Sequence, residues 1–146
     1  MTESPHIPVM LTEVLENLRP HDGGVYIDGT FGNGGYTSAI LDSADTRVIS
    51  FDRDDTVLPR VKELQQKYGS RFQFFQDCFS NVLPTLRKNN IGPVDGLVLD
   101  IGVSVLFSKE NFWLSQQRMA TSCPMLEASA MKRLRQRLSE NMINSA

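Results

Sequence analysis

The sequence is short of the features that mark whole classes of protein. It has two cysteines in 146 residues, Cys78 and Cys123, in unrelated contexts and without a CxxC pair. That scarcity argues against a disulfide framework or a structural zinc site, and it suits a reducing, cytoplasmic compartment. Long hydrophobic runs are missing too: Gly96–Leu99 is typical of the apolar stretches, against the roughly 20 residues that span a bilayer. No membrane partner is therefore expected. The opening MTESPHIPVM has no basic stretch followed by an apolar one, so neither a secretory signal nor a clear transit peptide is legible. Composition is near the globular average, which excludes disordered, collagen-like and coiled-coil chains. A basic excess is absent as well, since the net charge is −2. An acidic body does not advertise nucleic-acid binding, yet composition neither predicts nor excludes an RNA substrate.

The charge that is present is unevenly spread, −5 over residues 1–104 and +3 over residues 105–146. The first segment alternates between strand-like and helix-like patterns. Val9 to Leu18 carries its apolar residues on one helical face and stops at Pro20 and His21-Asp22-Gly23-Gly24. Strands are predicted at Val25–Asp28, Arg47–Asp52, Arg71–Phe75 and Val94–Ile101. Helices are predicted at Tyr36 to Asp42, at Asp54–Tyr68 with Pro59 tolerated in its first turns, and at Ser80–Asn89 despite Pro84. Such β-α alternation with short connections implies an α/β fold, a doubly wound, mostly parallel sheet covered by helices on both faces. After Ser104 the alternation stops. Residues 105–122 show no clear period, and an amphipathic helix with Leu126, Ala130, Leu134, Leu138 and Met142 at four-residue spacing follows Pro124. Residues 1–104 and 105–146 therefore read as two different kinds of segment.

Chemistry concentrates at the strand ends. Gly29-Thr30-Phe31-Gly32-Asn33-Gly34-Gly35 follows the first strand, where open α/β sheets bind ligands. Glycine there lets a ligand approach the backbone and supplies positive-φ turns. The spacing is not the GxGxxG of a pyrophosphate cradle. Asp52 ends the second strand about twenty residues after Gly32, the place of an acid that accepts hydrogen bonds from ribose hydroxyls; the alternative is a solvated cluster with Asp54 and Asp55. Phe79, after the third strand, is read either as lining an adenine pocket or as simple core. Asp100 ends the fourth strand with Ser104 close behind. A glycine turn with acids after strands one (Asp28), two and four is the pattern of an S-adenosylmethionine pocket, because that ligand carries a cation and a ribose but no phosphates.

Four blocks then occur in order: His6-Ile7-Pro8-Val9-Met10-Leu11-x-Glu13-Val14, Tyr26-Ile27-Asp28-Gly29-Thr30-Phe31-Gly32-x-Gly34-Gly35, Phe51-Asp52-Arg53-Asp54, and Asp95-Gly96-Leu97-Val98-Leu99-Asp100-Ile101-Gly102-Val103-Ser104. Together they resemble the MraW-type family of small-subunit (16S-type) ribosomal RNA cytosine-N4 methyltransferases. The resemblance implies a Rossmann-like methyltransferase fold, S-adenosylmethionine as methyl donor and small-subunit ribosomal RNA as substrate. Carried over by position, it implies cofactor contacts at Gly34, Gly35, Tyr36, Asp52, Phe79 and Asp100. The reaction it implies needs hydrogen-bond acceptors for the cytosine amine. The catalytic candidates are Asp100 and the backbone carbonyls of Ile101-Gly102-Val103, with Ser104 assisting position; the alternative for Asp100 is a structural or cofactor-side carboxylate. The likeness lies in the N-terminal part of the family. Tyr36 replaces a usual histidine, and the serine and glutamine that follow the last block are replaced by Val105, Leu106 and Phe107. The abrupt change suggests a reading frame that departs from the family near Val105. It also predicts an incomplete sheet of four strands, an exposed edge on the fourth unless the tail covers it, and a chain with weak or no activity. Two other classes compete: a non-catalytic remnant or interaction module, and a nicotinamide-dependent oxidoreductase.

Overall fold

The computed structural model describes residues 11–100, 103–108, 112–116 and 136. Its elements run α1 (Leu11–Leu18), β1 (Val25–Asp28), α2 (Gly35–Ser43), β2 (Arg47–Phe51), α3 (Leu58–Tyr68), β3 (Phe72–Phe75), α4 (Val82–Lys88), β4 (Gly96–Asp100), β5 (Val103–Ser108) and β6 (Phe112–Gln116). They build one six-stranded sheet in the order β3-β2-β1-β4-β5-β6. The pairs β1–β2, β2–β3 and β1–β4 are parallel. β4–β5 and β5–β6 are antiparallel.

Period-two alternation along the strands sorts side chains onto two faces. Tyr26, Val48, Phe72 and Val98 pack with Val14 and Leu18 of α1, Ile40 and Leu41 of α2, and Val61, Leu64 and Tyr68 of α3. Ile27, Ile49, Phe51, Leu97 and Leu99 pack with Val82, Leu83 and Leu86 of α4. Handedness explains the split. The crossovers β1-α2-β2 and β2-α3-β3 step the same way along the sheet, so right-handed connections put their helices on one face. The crossover β3-α4-β4 steps back past β2 and β1, which sends α4 to the other face. The direction of winding thus reverses between β1 and β4, and the two strands splay their connections apart there.

Local chemistry sets the element ends as expected. Pro59 falls in the first turn of α3, where its missing N–H costs nothing. Asp54 caps the preceding turn by accepting the Thr56 N–H at 2.9 Å. The hydrogen bond holds its carboxyl below the usual value. Pro84 is the third residue of α4, again within the first turn, so the helix survives it. At the opposite end of the sheet Asp95 accepts the Val25 N–H at 2.9 Å and ties the entry of β4 to that of β1.

One expectation is corrected. The sheet does not stop at four strands, because residues 103–108 and 112–116 form a hairpin whose first strand pairs with β4 along Gly96–Asp100. β4 is therefore covered on both sides. The pairing is dictated by the unfilled hydrogen-bonding edge of β4, which a search for periodicity within residues 105–122 does not register. The helix predicted after Pro124 lies outside the described residues, apart from Gln136, which is helical and exposed. Among the described residues no helix is long and apolar enough to cross a membrane.

Candidate cofactor site

The carboxyl end of β1 is held by a buried polar chain. Asp28 is fully buried; its Oδ1 accepts the Thr30 N–H at 3.1 Å and its Oδ2 accepts the Thr37 hydroxyl at 2.7 Å. Thr37 in turn lies 2.7 Å from the Ser50 hydroxyl. Burial pushes the Asp28 carboxyl up to about 6; the Thr37 and Thr30 hydrogen bonds oppose the shift, and nearby Asp52 and Asp100 add to it. Asp28 therefore acts inward, fastening the glycine loop and α2 to the sheet.

The loop it fastens needs glycine at particular places. Gly34 takes φ +75°, and a Cβ there would sit 2.8 Å from Leu64 Cδ1 and 2.9 Å from Phe31 Cζ. Gly32 takes φ +53° and stands beside open space. Gly29 lies flat on Leu99 and Phe79; a Cβ would run into the Leu99 side chain and come within 3.2 Å of Phe79 Cβ. Asp52, at the end of β2, reaches across to the loop. One of its oxygens accepts the Gly32 N–H at 2.8 Å and the other accepts the Asp54 N–H at 2.9 Å. Each carboxylate oxygen keeps a further lone pair for a ligand.

Between these groups opens a crevice of about 230 Å³ at the carboxyl ends of the parallel strands, lined among others by Gly29, Thr30, Gly32, Asp52, Phe79 and Asp100. It lies at the reversal between β1 and β4, where open α/β sheets bind ligands. Three carboxylates, Asp52, Asp77 and Asp100, face it together with Arg53. An acidic wall of this kind repels phosphates and favours a ligand with hydroxyl donors and a positive charge.

Of the residues anticipated from sequence, the structure brings Asp52, Phe79 and Asp100 into one lining. Phe79 serves both readings, since it faces the crevice and is 5% exposed within the α4-side core. Ser104 is the register partner of Asp100 in the β4–β5 pair, so the backbone sets both at the same end of the sheet. Gly34, Gly35 and Tyr36 are not in the lining. Gly34 and Gly35 open α2, and Tyr36 is buried in the α1–α3 core. Thr30 and Arg53 line the crevice without having been singled out; each immediately follows a glycine or acid that was. Asp77 spends one oxygen on the Cys78 N–H and the Asn81 side chain, both at 2.7 Å. Cys78 is disulfide-bonded, contrary to expectation. The residue it bonds lies outside the described residues. Among the described residues no cluster of three or more His, Cys, Asp or Glu is placed to hold a metal.

With this geometry in view, a family model described as the MraW methylase family matches residues 3–112. The chain belongs to the MraW methylase family. Among curated relatives, the ribosomal RNA small subunit methyltransferase H of Zymomonas mobilis is 54% identical over 101 residues, covering 69% of this chain and 30% of the relative. The protein of the same name from Maricaulis maris is 44% identical over 144 residues, covering 93% of this chain and 43% of the relative. That likeness runs past residue 104, into the segment for which no resemblance was anticipated. The chain thus spans less than half the length of either relative. Solved structures agree on a methyltransferase fold. A Streptococcus mutans protein in complex with SAH superposes with a TM-score of 0.55 at 16% identity, over 97% of this chain and 68% of that one. A protein-L-isoaspartate O-methyltransferase superposes with 0.57 at 13%, over 80% and 47%.

Proposed function

We propose that this MraW-family chain binds S-adenosylmethionine in the crevice between β1 and β4 and forms the cofactor-binding part of an enzyme methylating the N4 amine of a cytosine in small-subunit ribosomal RNA. The observation that carries the reading is the pairing of Asp52 and Asp100 across one crevice, with the glycine loop between them and no phosphate cradle. The residues present fit such a group. Asp52 has lone pairs left for ribose hydroxyls, Gly32 leaves the approach open, Phe79 offers an apolar wall, and Asp100 supplies negative charge beside a cation.

When bound, the sulfonium supplies an electrophilic methyl group. The chain's own contribution is orientation and hydrogen bonding. A cytosine exocyclic amine is a poor nucleophile, because its lone pair is delocalised into the ring. Asp100, exposed at the end of β4, would accept a hydrogen bond from that amine and so localise electron density on nitrogen. The base has to leave its stack to reach such a crevice. In isolation the chain is expected to bind the cofactor weakly and to transfer no detectable methyl group.

Titration of the protein with S-adenosylmethionine and with NAD, each to millimolar concentration and followed by protein NMR, tests the reading. Shifts caused by S-adenosylmethionine alone, weakened at least about tenfold by Asp52→Ala through loss of charge-assisted hydrogen bonds, are the expected result. Shifts caused by NAD alone would overturn the reading in favour of the nicotinamide-dependent class, and shifts by neither would overturn it in favour of a non-catalytic module. Methylation of small-subunit RNA by the isolated chain, together with micromolar affinity, would overturn the expectation of weak activity.

A further inference from the structure

Thr30 has a place in the crevice that no block of the resemblance assigns it. Its backbone N–H is committed to buried Asp28 at 3.1 Å. Its Oγ1 accepts the Asp100 N–H at 2.6 Å, across 70 positions of sequence. A threonine hydroxyl carries one hydrogen and two lone pairs. Accepting from Asp100 fixes the rotamer and leaves the hydrogen to be donated, and among the described residues that amide is the one partner the structure gives Oγ1. Thr30 lines the crevice, so the hydrogen is available there.

The strand order says which part of the ligand meets it. Phe79 follows β3, Asp52 and Arg53 follow β2, Thr30 follows β1, and Asp100 ends β4. A nucleoside whose ribose is held by Asp52 directs the rest of the molecule toward the β1 and β4 ends. The amino-acid arm there carries an ammonium and a carboxylate. Asp100 suits the ammonium and repels the carboxylate. Thr30 and Arg53 are the uncharged and cationic side-chain donors in this lining, and Arg53 stands on the ribose side. We propose that Thr30 is a further cofactor-selecting residue, its hydroxyl donating to the carboxylate of the amino-acid arm while it holds Asp100 beside the ammonium.

This inference rests on the cofactor reading above, and its test separates the two. The wild type, Thr30→Val, Thr30→Ala and Thr30→Ser are titrated with S-adenosylhomocysteine and with 5′-methylthioadenosine, which keeps the nucleoside and thioether but lacks the arm. The readout is the ratio of the two affinities within each variant, with a melting curve confirming that each is folded. Losing a donor to a carboxylate is expected to weaken S-adenosylhomocysteine about tenfold in the Val and Ala variants. Methylthioadenosine should stay within about twofold, and Ser should restore the wild-type ratio. Equal weakening of both ligands would show that Thr30 shapes the crevice as a whole rather than reading the arm, and would overturn the proposal. An unchanged ratio in variants that still bind also overturns it while leaving the cofactor reading intact. A wild type that binds neither ligand overturns both.

Discussion

Replacing Asp28 by asparagine removes a buried ionisation while keeping the shape of the site. The carbonyl of the introduced amide can still accept the Thr30 N–H. Its NH2 group can donate to Thr37, whose hydroxyl then donates to Ser50, because either hydroxyl of that pair can be the donor. The consequence is a change in how stability depends on pH. Burial raises the Asp28 carboxyl from 3.8 to about 6, so the folded state holds its proton to higher pH than the unfolded chain does. The contribution of protonated Asp28 is full below 3.8 and is lost as pH climbs through about 6. The displacement corresponds to about 3 kcal/mol at 1.36 kcal/mol per pH unit. Urea unfolding of wild type and Asp28→Asn at intervals from pH 4 to pH 8 measures it. The stability of the variant minus that of the wild type should rise by roughly 2–3 kcal/mol over that range, most steeply between pH 4 and 6. Parallel stability profiles would refute the assignment, for they would mean that Asp28 titrates alike in the folded and unfolded chain. A difference that instead falls with pH would show the carboxylate to be favoured by its hydrogen bonds over its burial.

Two further changes probe the scaffold. Gly34→Ala combines a left-handed backbone with a methyl group driven against Leu64 and Phe31, and denaturant melts should show a loss of about 2–4 kcal/mol; an effect below about 1 kcal/mol would mean that the loop relaxes freely. Asp95→Ala strips the acceptor from the Val25 N–H at the far end of the sheet. It should cost about 1–2 kcal/mol without altering affinity for S-adenosylhomocysteine, since the crevice lies beyond the opposite strand ends.

The first four strands and their helices are legible because each is written in local terms. Val25–Asp28 and Arg47–Phe51 are short β-prone runs ending in an acid or beside one, and the segments between them carry helical apolar faces. The hairpin of β5 and β6 is less visible. Its strands are separated by Lys109-Glu110-Asn111, a connection without the glycine that marks common hairpin turns, and the strongest force acting on it is the open edge of a strand defined elsewhere.

The sequence by itself determined the α/β alternation, the glycine loop after β1, the acids at the strand ends and, through four ordered blocks, the family. Those properties depend on residue type and short spacing. Tertiary structure decided what each of those residues does. It turned Asp28 inward onto Thr30 and Thr37, made Gly34 a packing requirement against Leu64, and set Asp52 and Asp100 across one crevice with Thr30 between them. Such roles follow from the reversal of winding between β1 and β4, which brings residues 30 and 100 into hydrogen-bond contact. A contact across 70 positions is a property of strand order, and strand order is settled by the handedness of whole crossovers rather than by any local run of residues.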